Sequence, residues 1–310
     1  MTEIILHNYP ASPVAEKVRK GFGLKDLAWR DVEIPRVPPK PDLVCLTGGY
    51  RRTPVMQIGA DIFCDSQCIL REVERRHPEK TFFPGGADGM AWGVSRWTDG
   101  ELFTLAVKLI LGTAGDALPA DFAEDRGRLY LGPDWAAGLQ AANAELPHLA
   151  AQIRAHFGWM DERLATGRQF MLGDRPGLPD CLAWHVVWFI RGRWPAGPEF
   201  LAEFESVTAW EDRMETLGQG ERTPMEPVEA IEIARTTPIA TAEGADPLDP
   251  QGLEPGMQVS VVPDVDGGEQ AVDGILHFAD RDSVAVRRTD ERAGEVCVHF
   301  PRAGYRVTVT

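Results

Sequence analysis

The stretch Arg52–Ser66, RTPVMQIGADIFCDS, constrains this chain more than any other. Val55, Met56 and Ile58 form a short apolar run, and Gly59, Ala60 and Asp61 supply turn chemistry. Ile62 and Phe63 begin a return strand. Pro54 has no N–H for a sheet ladder, so it belongs at a strand start or an edge. A cis Thr53–Pro54 bond would turn the Thr53 backbone outward, where it could pair with a ligand. Asp65 and Ser66 then open a segment in which Ile69, Leu70 and Val73 recur at helical spacing. An acid–hydroxyl pair is suited to a helix N-terminus, whose N–H groups also favour an anion. The residues fit a plain hairpin with a capped helix. They equally fit a place where a peptide-like ligand lies against exposed backbone.

The preceding residues set this hairpin in a longer order. Ile4, Ile5 and Leu6 read as a strand, leading through Tyr9 to Ser12 and Pro13. Val14, Val18 and Phe22 mark the helix that follows, and Trp29–Ile34 the next strand. Strand, helix, strand, linker, strand, strand, helix is the order of thioredoxin-like folds. Ser12-Pro13-Val14-Ala15 stands where those folds carry Cys-Pro-x-Cys, with both cysteines missing. Disulfide exchange needs a thiolate attacker, so that chemistry is disfavoured.

With these residues the chain resembles the glutathione transferase family. The resemblance rests on Ser12-Pro13 followed by Lys17-Val18-Arg19, on Thr53-Pro54-Val55, and on Asp65-Ser66 followed by Ile69. Downstream, Gly173–Asp180 precedes the apolar helix Cys181–Ile190, and Val207–Trp210 is followed by Arg213-Met214. The likeness covers roughly residues 3–220. One departure is Gly177, where the family usually has a serine or threonine three residues before the aspartate. The hydroxyl half of a capping box is therefore absent.

The resemblance implies glutathione as co-substrate and a small hydrophobic electrophile as its partner. Ser12 is the expected hydroxyl donor to the glutathione sulfur, and Tyr9, three residues earlier, is its rival. Thr53, next to Pro54, is expected to pair its backbone with the cysteinyl part of the ligand. Asp65 and Ser66 would hold the γ-glutamyl end, and Arg52, with Arg51 as the lesser alternative, the glycyl carboxylate. Trp92, Trp97 and Phe103 are candidates for the second-substrate pocket, with packing as an equal reading of each. Lowering a thiol pKa by ~2 units takes about 2.7 kcal/mol of preferential anion stabilisation. A hydroxyl near a helix N-terminus is one source of it. The resemblance also implies a homodimer. The alternative is a protein of the same fold that has lost the chemistry and uses its tail as an interaction module. A glutathione-dependent isomerase or reductive enzyme would share the first domain.

Residues 85–224 read as helical, with segments over Leu139–Phe157, Met160–Thr166, Asp180–Arg191 and Phe200–Leu217. The tail is different. Residues 224–256 are rich in Pro, Thr, Ala and acid, and read as extended, with a helical turn near Glu229–Ala234. Five short strands follow, over Met257–Val262, Gly274–Phe278, Ser283–Arg287, Glu295–Phe300 and Tyr305–Val309. The expected architecture is a thioredoxin-like α/β domain over 1–84 and an all-α domain over 85–223. A linker over 224–255 then leads to a small all-β domain, similar to SH3-like barrels, over 256–310.

Charge and cysteines narrow the function classes. Residues 1–84 carry a net charge of +2, residues 85–224 one of −8 and residues 225–310 one of −9. An anionic ligand fits the first domain, and the acidic remainder disfavours nucleic acid. No apolar run is long enough for a bilayer and no basic leader precedes an apolar stretch, so a cytoplasmic protein without a membrane partner is expected. The five cysteines, at positions 45, 64, 68, 181 and 297, are scattered and odd in number. They suit buried structural thiols better than a disulfide framework or a metal site.

Overall fold

The computed structural model describes residues 3–86, 88–265 and 269–310. It begins with β1 (Ile5–Asn8), α1 (Pro13–Leu24), β2 (Ala28–Glu33), α2 (Pro41–Thr47), β3 (Val55–Ile58), β4 (Asp61–Cys64) and α3 (Ser66–Arg76). The helices α4 (Asp88–Arg96), α5 (Phe103–Ala114), α6 (Ala120–Leu131) and α7 (Trp135–Ala144) follow. Then come α8 (Leu146–Leu164), α9 (Leu178–Arg193), α10 (Gly197–Leu201) and α11 (Glu205–Thr216). The last segment has β5 (Glu221–Pro224), α12 (Pro227–Thr236), β6 (Gly244–Ala245) and β7 (Gln258–Pro263). It ends with β8 (Val272–Ala279), β9 (Ser283–Asp290), β10 (Gly294–Pro301) and β11 (Tyr305–Val309).

The chain packs as two compact units. The first takes Met1–Ala15, Ala28–Val73 and Glu221–Thr310; the second takes Glu16–Leu27 and Glu74–Gly220. In the first unit β1 pairs parallel with β2 and antiparallel with β3, and β3 forms a hairpin with β4. This is the expected thioredoxin-like arrangement. Gly59 turns the hairpin at φ +63°, a conformation open to glycine at little steric cost. The tail strands run in the order β11-β7-β8-β9-β10, and β10 pairs parallel with β4. At the other end β5 pairs parallel with β2. Both edges of the four-stranded sheet are thus paired by the last ninety residues, which removes two unpaired rows of backbone N–H and C=O groups.

The core of this unit is continuous in the same way. Ile5, Val32, Leu46, Val55 and Ile62 share one buried cluster with Val259, Leu276, Val286, Val298 and Phe300. The turn expected near Glu229–Ala234 is a ten-residue helix, α12, opened by Pro227. Ala230, Ile231 and Ala234 join the cluster, so burial of one face stabilises a helix that composition alone disfavours. Strand β5 was not expected: its four residues are exposed and show no alternation. Pairing with β2 and an ion pair from Arg222 to Asp31 hold it.

The second unit is helical, built around Phe157, Trp184 and Trp210, with the two indoles edge-on at 6.3 Å. The helix expected over Leu139–Phe157 is divided at Glu145 into α7 and α8. Pro147, in the first turn of α8, cannot continue α7 because it lacks the N–H. Phe200–Leu217 likewise divides into α10 and α11. Between α4 and α5, Trp97–Leu102 forms a π-helical turn. Among the described residues no helix is long and apolar enough to cross a membrane.

Candidate ligand site at the end of the sheet

The sheet register brings three loops together. His7 of β1 and Cys64 of β4 both lie opposite Val55, the first residue of β3. The residues after β1, before β3 and after β4 therefore meet at one end of the sheet. These are Tyr9–Ser12, Arg52–Pro54 and Asp65–Ser66, all within the first unit.

Ser12 is buried and immediately precedes α1. Its N–H donates to the Tyr9 carbonyl at 3.1 Å, and its Oγ accepts the Ala15 N–H at 3.2 Å. The first bond closes the turn before the helix, and the second is that of an N-cap, with Pro13 at the first helical position. A hydroxyl can accept through a lone pair and donate its proton at the same time, so capping and donation to a ligand are compatible. Tyr9 is buried as well and belongs to the apolar core cluster.

The Thr53–Pro54 peptide is cis. Lys40, a buried lysine just ahead of α2, donates to the Arg51 carbonyl at 3.0 Å and to Thr53 Oγ1 at 3.3 Å. Its ammonium lies 6.0 Å from the Tyr9 ring centroid. Sequence reasoning missed Lys40, because nothing in Pro38-Pro39-Lys40-Pro41 announces a buried cation. Only the folded chain turns it onto the loop before β3.

Asp65 sits at φ +74° and caps α3, its Oδ1 accepting the Gln67 N–H at 2.8 Å. Ser66 is the buried first residue of that helix. The other Asp65 oxygen accepts from the hydroxyl of Tyr305, on β11, at 3.1 Å. The Tyr305 hydroxyl also lies 3.3 Å from that of Tyr50. Burial first, and then the Asp65 charge, push both phenols well above the usual tyrosine range, which keeps them protonated donors.

Arg52 is engaged from the tail too. Its Nε and Nη2 donate to the two carboxylate oxygens of Glu269, and Nη2 donates to the Val265 carbonyl at 3.0 Å. Burial opposes the guanidinium charge, but the bonds to Glu269 outweigh it and raise the Arg52 pKa. Glu269, Tyr305 and Tyr50 were not singled out from the sequence. No local pattern ties them to positions more than two hundred residues away.

The three aromatic residues expected at a second-substrate pocket lie in the second unit and fall in separate groups. Trp92 is 6.0 Å from Phe83. Trp97 donates its indole N–H to His156 at 2.7 Å and lies 6.1 Å from Trp159. Phe103 is buried against Tyr130, His185 and Phe189.

Away from the loops, Asp61, Cys297 and His299 bring a carboxylate oxygen, a sulfur and an imidazole nitrogen within 4.8 Å of one another. These are ligand types for a metal ion, and no sequence motif links them. The Asp61 oxygens already accept from His299 at 2.9 Å, Thr241 at 2.6 Å and the Ala240 N–H at 2.8 Å. The group is therefore satisfied as a hydrogen-bonded network. Burial holds Cys64, Cys68 and Cys297 well above the usual thiol range, so each is a neutral thiol rather than a nucleophile.

Comparisons with known proteins agree with this fold. Residues 6–81 match the model of the glutathione S-transferase N-terminal domain, and residues 140–213 that of its C-terminal domain. A GST-like protein from Pseudomonas syringae is 34% identical, with all of both chains covered and a TM-score of 0.82. Poplar glutathione transferase F1 is similar in fold alone, at 11% identity over 69% of this chain and 93% of that one, with a TM-score of 0.53. The beta-etherase LigF from Sphingobium sp. strain SYK-6 is likewise similar in fold, at 12% identity over 69% and 95%, with a TM-score of 0.54. No curated protein matches the sequence. The full-length likeness at this identity, with both domain models in order, means that the chain belongs to the glutathione S-transferase family.

Proposed function

We propose that this protein binds glutathione at the sheet end and activates its thiol for attack on a small apolar electrophile. The observation that carries this reading is the convergence there of Ser12, the loop Arg52–Pro54, and Asp65 with Ser66 at the start of α3. The Thr53 backbone pairs with the cysteinyl residue of the ligand. Ser66 and the N-terminus of α3 take the γ-glutamyl carboxylate, and Asp65 takes the ammonium. The Ser12 hydroxyl, at the N-terminus of α1, donates to the sulfur and favours the thiolate. The active form is a cytoplasmic homodimer.

Calorimetry with glutathione tests binding, and absence of heat at about 10 mM ligand overturns the reading. Ser12→Ala tests the chemistry with a halogenated dinitrobenzene as electrophile. Loss of one stabilising donor is expected to lower turnover at least about 100-fold. Full turnover in that variant moves the role to Tyr9, for which Tyr9→Phe is the corresponding test.

A second reading is favoured by the contacts of Arg52 with Glu269 and of Asp65 with Tyr305. A chain whose own tail holds both recognition groups could serve as a binding protein without turnover. Glutathione binding with no thiol transfer to any electrophile would support it.

A further inference from the structure

Asp65 is held at both carboxylate oxygens. Oδ1 accepts the Gln67 N–H at 2.8 Å, and Oδ2 accepts the Tyr305 hydroxyl at 3.1 Å. An ionised carboxylate offers about four acceptor positions, so two bonds orient it and leave acceptor capacity for a cation. Asp65 itself is half-buried rather than enclosed.

The donor is as firmly placed as the acceptor. Tyr305 is buried on β11, opposite Pro263 of β7. Its ring lies 5.5 Å from that of Phe300 and 6.4 Å from that of Tyr50, and the Tyr50 ring is 5.9 Å from Phe300. A phenylalanine would fill the same place in this cluster; what the tyrosine adds is a hydroxyl aimed at a charged group. Of its two neighbours, the Asp65 oxygen is nearer than the Tyr50 hydroxyl, at 3.1 Å against 3.3 Å. Bonds to an ionised acceptor are also the stronger ones. Burial and the Asp65 charge keep the proton on the Tyr305 phenol.

We propose that Tyr305 is a positioning residue of the glutathione site. Its hydroxyl orients the Asp65 carboxylate to meet the α-ammonium of the γ-glutamyl group, so the β-rich tail takes part in ligand recognition. This inference rests on the reading of Asp65 as the contact of that ammonium.

The experiment compares glutathione with its des-amino analogue, glutaryl-cysteinyl-glycine, by calorimetry. The wild type should bind glutathione at least about tenfold tighter than the analogue. In Tyr305→Phe glutathione should weaken at least about fivefold while the analogue changes by less than about twofold. In an Asp65→Asn background, Tyr305→Phe should alter the ratio of the two affinities by less than about twofold. A Tyr305→Phe protein that weakens both ligands alike, or that shifts the ratio equally without Asp65, overturns the proposal and leaves glutathione binding standing. A measurement on the wild type does not depend on the variants folding. Glutathione should perturb the near-ultraviolet tyrosine absorption more than the analogue does, because only its ammonium reaches the Asp65–Tyr305 pair. Equal spectral changes for the two bound ligands overturn the proposal. If neither ligand binds the wild type at about 10 mM, the glutathione reading itself fails and this inference with it.

Discussion

A serine or threonine at position 177 would complete a capping box with Asp180, but the structure has no room for one. A Cβ on Gly177 would lie 2.7 Å from the Phe82 carbonyl oxygen and 2.9 Å from Pro84. Gly177→Ser should therefore destabilise the protein, by about 1–3 kcal/mol in urea unfolding, despite the better cap it introduces. Asp180 works without that partner. Its carboxylate accepts from the Gly177 N–H, the Met171 N–H and the Trp210 indole, each at 2.8–2.9 Å. Burial nonetheless pushes its pKa from 3.8 up to about 6. Between those values the folded state holds a proton that the unfolded state has lost. Stability from this group is thus greatest below about pH 4, and is lost as pH rises through 6, by about 3 kcal/mol in all. Unfolding free energies measured at several pH values should show this slope in the wild type and a flatter profile in Asp180→Asn. The sequence displayed the Gly177 departure; the reason for it, a carbonyl ninety-five positions earlier in the chain, was visible only in the fold.

Among the elements, the joint between β4 and β10 adds a buried side-chain network to its backbone pairing. Asp61 on β4 accepts from His299 on β10 and from Ala240 and Thr241 in the chain leading to β6. Burial alone would raise the Asp61 pKa, but His299, Thr241 and the Ala240 N–H lower it below the ordinary value. Its stabilisation is complete above the normal carboxylate range and is lost as pH falls through the depressed folded value. Asp61→Ala leaves three donors without their acceptor and should cost about 3–5 kcal/mol in chemical unfolding. The strands themselves were legible. All five tail strands have the expected order and nearly the expected ends, because their alternation and turn residues are local signals. Strand β5 and helix α12 were less so, since pairing with β2 and burial against the shared core form them.

Across the whole molecule, the tail completes the sheet and core that β1–β4 begin. A chain ending at residue 220 would lose the partners of both β2 and β4 and uncover Val55, Ile62 and their neighbours. It should show no cooperative heat transition and should aggregate in size-exclusion chromatography; a sharp transition would mean that the tail is dispensable. The sequence by itself determined the family, the thioredoxin-like order, the helical middle and the positions of Ser12, Thr53, Pro54, Asp65 and Ser66. The family rests on the resemblance of these motifs; the rest are properties of local periodicity, caps and turns, which neighbouring residues specify. Only the tertiary structure decided that the loop before β3 and the turn after β4 are met by Glu269 and Tyr305. Contacts between residues more than two hundred positions apart depend on strand pairing and a shared core, and no local pattern records them. The stretch Arg52–Ser66 thus carries the proposed recognition groups in its sequence, and the fold decides that Glu269 and Tyr305 meet two of them.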